Sequence, residues 1–162
     1  MKVKKLMMGT PFHCQPETNL GAATELMWTE NCGFLPVVDS EGKLQSVVTD
    51  RDICIALGTK NRLPGEVPVR EVMSQKLYSC TPDDDVHVAL QTMKDGRVRR
   101  LPVIAQEEKL VGVVSMDDIL LRAQPTSLGK EPELSSDEVV RTHRSINHRQ
   151  VPQVVAKRAA VA

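Results

Sequence analysis

An internal repeat is the feature of this sequence that most restricts its fold. When the 162-residue chain is shifted by 66 positions, Met7 falls on Met73 and Ile53 falls on Ile119 with no slip in register. Fifteen of the 47 aligned pairs are identical, whereas about three would match by chance with typical residue usage. Since repeats of this length bury their apolar faces against one another, we expect one supersecondary unit built twice.

Each copy contains the same order of predicted elements. A short apolar segment, residues 12–14 or 77–80, is expected to enter as a strand. The apolar residues of 86–93 then follow the i, i+3, i+4, i+7 spacing of one helix face, and those of 20–27 follow a similar spacing. Two apolar strands and a second helix complete each copy, and Gly58 is expected to end that helix in the first copy.

The predicted order is therefore β-α-β-β-α, twice, which favours an α+β (mixed α/β) fold with helices packed on one face of mixed strands. Each half is too small to bury much surface alone, so the two are expected to pack pseudo-symmetrically into one module. We place the repeats at residues 1–66 and 67–123. Residues 124–162 are expected to form a polar linker, a helix capped by Ser135 or Ser136, and a partly disordered end.

Composition argues against several classes of function. The 21 basic and 21 acidic side chains give a net charge of zero, so no global charge draws the chain to nucleic acid or to a membrane surface. Aromatic residues make up only 2% of the chain, which disfavours the stacking surfaces of single-stranded nucleic acid binders. No window is apolar enough to span a membrane, and the four cysteines lack metal-site spacing, so we expect a cytoplasmic protein with reduced thiols and no metal.

A hydroxyl and an aspartate recur three residues apart, in SVVTDRDIC at 46–54 and in GVVSMDDIL at 112–120. The two pairs are Thr49 with Asp52, and Ser115 with Asp118. At a helix start such a pair forms a capping box, worth about 0.5–2 kcal/mol. The carboxylate could instead accept hydrogen bonds from both hydroxyls of a ribose, beside a helix N-terminus that favours an anion. Both interpretations stay open, because the hydroxyl can cap the helix while the aspartate binds a ligand.

These residues resemble the CBS domain family, named for cystathionine β-synthase. The resemblance rests on LPVV or LPVI, KLQSVV or KLVGVV, and TDRDI or SMDDI in the two copies, and it covers residues 1 to about 122. It implies a Bateman module, a disc-like pair of repeats with two clefts that bind adenosine-containing ligands. AMP, ADP and ATP are the expected ligands, with NAD and S-adenosylmethionine as further candidates. In this family the aspartate is the ribose ligand, which favours a binding role for Asp52 and Asp118.

The resemblance also implies phosphate-binding residues in the segment GRVRRLPV. In the regulatory subunit of AMP-activated protein kinase, basic residues at the positions of Arg99 and Arg100 meet phosphates. The planar fork of arginine suits phosphate oxygens, and a solvated basic turn is the alternative. Arg51 is a further candidate for phosphate. The first copy has Gly33 and Phe34 at the equivalent positions, so the two clefts are expected to differ.

A complete nucleotide site is expected to combine both copies, because the base is often held by the opposite repeat in this family. Its ribose and phosphate residues would come from the second copy and its base-binding residues from the first: Ser115, Asp118, Arg99 and Arg100 with Thr18, Ala23, Gly33 and Phe34. The other cleft, with Thr49 and Asp52, would hold a ligand with fewer phosphates or none.

The resulting hypothesis is an adenosine-nucleotide-binding module that senses energy or metabolite levels and regulates an unidentified partner protein in trans, as a homodimer and without catalysis. No recognisable set of nucleophile, base and orienting residue supports an enzyme. The alternative is a structural dimerisation or interaction scaffold whose clefts stay empty. Deletion of residues 124–162 is expected to spare nucleotide binding, and in the scaffold alternative the tail helix is the partner-binding element.

Overall fold

The computed structural model describes residues 1–126 and 132–148, and the disorder predicted for the chain end falls outside these ranges. The predicted α+β fold is confirmed. The helices and strands, in chain order, are β1 (Met8–Gly9), α1 (Leu20–Thr29), β2 (Phe34–Val38), β3 (Leu44–Thr49), α2 (Asp50–Lys60), α3 (Val86–Gly96), β4 (Arg100–Ile104), β5 (Leu110–Ser115), α4 (Met116–Arg122) and α5 (Ser136–Asn147).

The two repeats form the same antiparallel hairpin. In the first, β2 pairs with β3 and places Leu35 opposite Val48. In the second, β4 pairs with β5 and places Leu101 opposite Val114. All four of these side chains are completely buried, which is the outcome expected of continuous apolar strands covered by helices. Strand β1 adds to the free edge of β5.

The strand entries predicted at residues 12–14 and 77–80 are wrong in extent. Cys14 makes a single parallel bridge to Val37, and Cys80 makes the equivalent bridge to Val103. Burial raises the pKa of the Cys14 thiol to about 11 and that of the Cys80 thiol to about 12. Both thiols therefore remain protonated and serve as small core side chains.

The helices bury the faces that the apolar spacing indicates. Of the α3 residues, Val86, Ala89, Leu90 and Met93 are buried. Ser135 caps α5 as expected, since its Oγ accepts a hydrogen bond from the backbone N of Glu138 at 3.2 Å. The expected end of α2 at Gly58 is wrong, because α2 continues to Lys60 and Asn61 adopts the left-handed conformation at its C-cap. Within the described ranges, no helix has the length and apolar character needed to cross a membrane.

The first residues of the two repeats exchange cores. Val3 and Leu6 begin the first repeat but pack in the core of the second. Val67 and Val69 begin the second repeat but pack in the core of the first. This crossover ties the two halves together, because neither core is complete without residues supplied by the other end of the sequence.

Helix α5 belongs to the second core. It packs against α3 and α4, and Leu134, Val139 and Ile146 are buried there with the residues of the second repeat. The segment after the repeats is therefore part of the folded second half as far as residue 148, apart from residues 127–131, which are not described. Helices α1 and α2 of the first repeat carry Trp28 and Ile55, both of which are largely exposed.

Candidate functional site

Both hydroxyl-x-x-aspartate pairs form complete capping boxes. Asp52 Oδ2 accepts hydrogen bonds from Thr49 N at 3.0 Å and from Thr49 Oγ1 at 2.7 Å, and Thr49 Oγ1 accepts one from Asp52 N at 3.3 Å. Asp118 Oδ2 accepts the matching bonds from Ser115 N at 2.8 Å and from Ser115 Oγ at 2.6 Å. The capping interpretation of the sequence is therefore confirmed for both copies.

The capping boxes use only one oxygen of each carboxylate. Among the residues described by the structure, no hydrogen bond reaches Oδ1 of Asp52 or of Asp118. Both side chains are half-buried. A carboxylate oxygen has two lone pairs, so each aspartate keeps acceptor capacity beyond its helix cap.

A cleft of about 1160 Å³ lies where the two repeats face each other. On the first repeat it is lined by Gly33 and Phe34 and by the start of α2 at residues 49–51. On the second repeat it is lined by residues 74–76, Tyr78 and the segment from Gly96 to Arg100. Loops and helix starts from both repeats therefore converge on one concave surface, which is the usual position of a small-molecule site.

The charge of this cleft is strongly positive. Five basic side chains line it, against the single carboxylate of Asp50; they are Arg51, Lys76, Arg97, Arg99 and Arg100. In the described ranges, none of these five forms an ion pair within 4.0 Å of a carboxylate. Several arginines in one groove, unneutralised by the protein, concentrate the field and favour a ligand with phosphate groups.

Two of the four aromatic residues of the chain lie in the same cleft, namely Phe34 and Tyr78. Tyr78 packs against Gly96 so closely that a Cβ on this glycine would lie 2.8 Å from the ring. Sequence reasoning missed Tyr78 as a site residue. The available signal was its repeat partner, since Tyr78 is equivalent to Phe12 at the 66-residue offset.

Six of the predicted site residues are brought together by the structure: Gly33, Phe34, Thr49, Arg51, Arg99 and Arg100. Arg100 and Pro102 of β4 line the cleft, as do Val47 and Thr49 of β3. Residues two apart on a strand share a face, so this face of β4 is turned towards the first repeat. Arg99 and Arg100 share this cleft with Thr49, and Arg100 also lies opposite Ser115 in the hairpin of β4 and β5. The predicted grouping of these arginines with Ser115 and Asp118 stays a prediction.

The other predicted site residues do not line this cleft. Ser115 and Asp118 close the capping box of α4, and Asp52 closes that of α2. Ala23 is completely buried in the first core. Thr18 Oγ1 accepts a hydrogen bond from Gln15 N at 3.1 Å. The roles predicted for these two residues at the base stay predictions.

The tail helix also reaches the cleft. The last turn of α5 contributes Ile146 and Asn147, and the next residue, His148, completes this wall. The end of α5 thus borders the cleft, because α5 packs along the second repeat and ends beside the arginines. The effect of deleting residues 124–162 on nucleotide binding stays a prediction. The sequence offered no signal for this position, since α5 lies outside the repeat.

Comparison with known proteins supports the family and the fold. The CBS domain model matches residues 3–59 and 69–124. A "CBS domain-containing protein YhcV" from Bacillus subtilis is 37% identical over 117 residues, which are 72% of this chain and 81% of that protein.

Two solved structures share the arrangement. Hypoxic Response Protein I, determined with two coordinated zinc ions, has a TM-score of 0.71 and 27% identity, and the match covers 76% of this chain and 100% of that one. The CBS domain pair of protein MJ0100, determined in complex with 5′-methylthioadenosine and S-adenosyl-L-methionine, has a TM-score of 0.67 and 25% identity over 74% of this chain and 96% of that one.

Proposed function

The chain belongs to the CBS domain family, and we propose that it is an adenosine-nucleotide-binding regulatory module that acts in trans on a partner protein. The observation that carries the proposal is the cleft between the repeats, where five basic side chains and two aromatic rings face one space. The related MJ0100 pair was solved with two adenosine-containing ligands, which supports the same ligand class here.

The charge of the cleft selects among adenosine ligands. A charge-assisted hydrogen bond from arginine to phosphate contributes about 1.5–3 kcal/mol, so each added phosphate group strengthens binding. S-adenosylmethionine carries a positive sulfonium centre, which the cluster of arginines repels. We therefore rank ATP, ADP and AMP first, NAD with its pyrophosphate next, and S-adenosylmethionine last.

The residues take complementary roles in this proposal. Arg99, Arg100 and Arg51 bind the phosphates, and the rings of Phe34 and Tyr78 hold the base, because aromatic stacking tolerates any purine face. The ribose is placed against Thr49, which lines the cleft at the start of α2. Asp52 does not line the cleft but is hydrogen-bonded to Thr49 Oγ1, and its unused carboxylate oxygen is the proposed ribose acceptor. The equivalent pair of Ser115 and Asp118 offers the same ribose chemistry for a second ligand.

The proposed module has no catalytic activity of its own. The proposal treats the ligand as an effector that shifts the populations of two arrangements of the protein. A cytoplasmic location is part of the proposal, since a reducing environment would keep the accessible thiol of Cys54 unoxidised.

Isothermal titration calorimetry with AMP, ADP, ATP, NAD and S-adenosylmethionine tests the proposal. We expect micromolar binding that strengthens with phosphate number. Arg99→Ala/Arg100→Ala should weaken ATP binding by about tenfold or more, the equivalent of one or more lost charge-assisted bonds. Arg122→Ala is the matched control, because Arg122 is an exposed arginine on α4 outside the cleft. The proposal fails if none of the five compounds binds the unmodified protein.

One observation favours assembly as a second candidate function. A groove of about 640 Å³ between α1 and α2 is lined by apolar side chains that include Met27 and Leu57, and the neighbouring Trp28 is 87% exposed. An exposed tryptophan beside an apolar groove is typical of a protein–protein contact. The corresponding position in the second repeat is Lys94.

Sedimentation velocity distinguishes this scaffold function from the regulatory one. We expect a homodimer that Trp28→Lys converts to monomer, because the change gives the first repeat the residue of the second. Lys94→Ala is the control and should leave the mass unchanged. A dimer that binds no nucleotide would favour the scaffold, whereas an unmodified protein that sediments as a monomer would exclude this contact.

A further inference from the structure

The end of α5 forms part of the lining of the cationic cleft. Asn147 and His148 are both exposed and both line the cleft. Their neighbour Ile146 is only 8% exposed and belongs to the second core. Because Ile146 is anchored in the second core, the adjacent side chains of Asn147 and His148 are held at the cleft.

Helix α5 is held along its length by the second repeat. Its apolar stripe includes Val139 and Ile146, which are both buried and lie about two helical turns apart. At the other end, Glu138 Oε1 lies 2.8 Å from His87 Nδ1 on α3. Just before the helix, the carboxylate of Glu133 pairs with the N-terminal amino group at 2.5 Å. Docking of α5 thus depends on contacts far from the cleft, while its last turn forms part of the cleft wall.

A side chain that contacts a ligand and also belongs to a docked helix links two equilibria, namely ligand binding and helix docking. If the ligand binds more tightly when α5 is docked, then the docked state must be favoured by the same factor when the ligand is bound. The polar groups at the end of α5 face the same space as Arg99 and Arg100. An anion held by those arginines would therefore lie within the wall that α5 completes.

We infer that Asn147 and His148 are ligand-binding residues and that a phosphate-bearing ligand in the cleft stabilises the docking of α5 on the second repeat. The inference rests on the proposed function and adds its means of regulation. A bound nucleotide holds α5 in place and so determines which surface of the helix a partner meets. The link between α5 and the ligand follows from the position of Asn147 and His148 in the cleft lining and not from their position in the sequence.

The test uses the full chain and ATP as the probe. We expect ATP to slow amide hydrogen exchange in α5, residues 136–147, and Asn147→Ala/His148→Ala to weaken ATP binding by about tenfold, the loss of roughly one hydrogen bond to a charged group. The same double substitution should abolish the ATP-dependent protection of α5. His143→Ala is the matched control, because His143 is an exposed histidine of the same helix outside the cleft.

The outcomes separate this inference from the proposed function. If ATP binds and requires Arg99 and Arg100, but the α5 double variant binds equally well and α5 exchange is unchanged by ATP, the inference is wrong and the proposed function stands. If ATP does not bind the unmodified protein, both are wrong. Both substituted residues are exposed, so circular dichroism should show the unmodified fold in every variant.

Discussion

Val3 and Val69 stand 66 positions apart, are both completely buried, and each packs in the core of the other repeat. Their equivalence under the repeat offset shows that the crossover itself is duplicated. The first residues of each repeat are thus a structural element of the opposite half. This exchange couples the two halves that form the walls of the cleft.

The exchange predicts that both valines contribute equally to stability. Val3→Ala and Val69→Ala should each lower the free energy of unfolding by about 1–3 kcal/mol, because each removes buried methyl groups and leaves a cavity. Urea denaturation measures the loss. Val88→Ala is the control, since Val88 is half-exposed on α3, and a similar loss there would contradict the assignment.

The capping boxes predict a specific tolerance at two positions. Thr49→Ala or Ser115→Ala should lower the free energy of unfolding by about 0.5–2 kcal/mol through loss of the cap. Thr49→Ser should be nearly neutral, because Ser115 already performs the same task in the second repeat. Thermal denaturation of the three variants measures these effects. The expectation would be contradicted if Thr49→Ser destabilised the protein as much as Thr49→Ala does.

Two helical glycines should respond in opposite directions to alanine. Gly58 lies in the last turn of α2 and an added Cβ would have no atom within 4 Å, so Gly58→Ala should stabilise the protein by about 0.5–1 kcal/mol. Gly96 ends α3, where a Cβ would lie 2.8 Å from the Tyr78 ring. Gly96→Ala should therefore destabilise the protein and, because Tyr78 lines the cleft, weaken nucleotide binding.

Denaturation and ATP titration of the two glycine variants provide the comparison. If Gly96→Ala had the same effect as Gly58→Ala on both stability and ATP affinity, the proposed role of the Gly96–Tyr78 contact in the cleft would be contradicted.

The contact between α3 and α5 predicts a pH dependence of stability. The Glu138 carboxylate, with help from Asp85, raises the pKa of His87 above its usual 6.5. Nδ1 of His87 faces this carboxylate and Nε2 faces the carbonyl of Glu133 at 3.2 Å, so both nitrogens donate only in the imidazolium form. The stabilisation is therefore complete below the unfolded pKa and is lost as the pH rises through the folded pKa.

Unfolding midpoints measured from about pH 5.5 to 8, around the ordinary pKa of histidine, should fall with rising pH in the unmodified protein. His87→Asn should flatten this slope. Glu133 raises the pKa of the N-terminal amino group above its usual value, so this group keeps its charge over most of the range and should not mask the effect. An unchanged slope in the variant would exclude His87 as the titrating group.

The sequence predicted the elements of the repeat because local spacing sets them. The buried face of α3 and the cap at Thr49 follow from helix geometry alone. Which site residues line the same cleft could not be predicted from local spacing, because it depends on how β3 and β4 face each other across the two halves. Ala23 was assigned to the base through the family resemblance, and its complete burial in the first core depends on tertiary packing that no local pattern shows.

The tail illustrates the same limit. Ser135 was recognisable as an N-cap, but the position of His148 in the cleft depends on how α5 packs on the second repeat. A helix outside the repeat has no internal counterpart for comparison. The repeat offset would have helped only for Tyr78, whose partner Phe12 is also aromatic.

A crystal structure determined with ATP tests the central claim most directly. The account predicts that the triphosphate lies in the cleft between the repeats, with phosphate oxygens within hydrogen-bonding distance of the guanidinium groups of Arg99 and Arg100, at about 2.7–3.2 Å. A structure at saturating ATP in which this cleft holds no nucleotide, or in which the nucleotide binds elsewhere with both arginines turned to solvent, would contradict it.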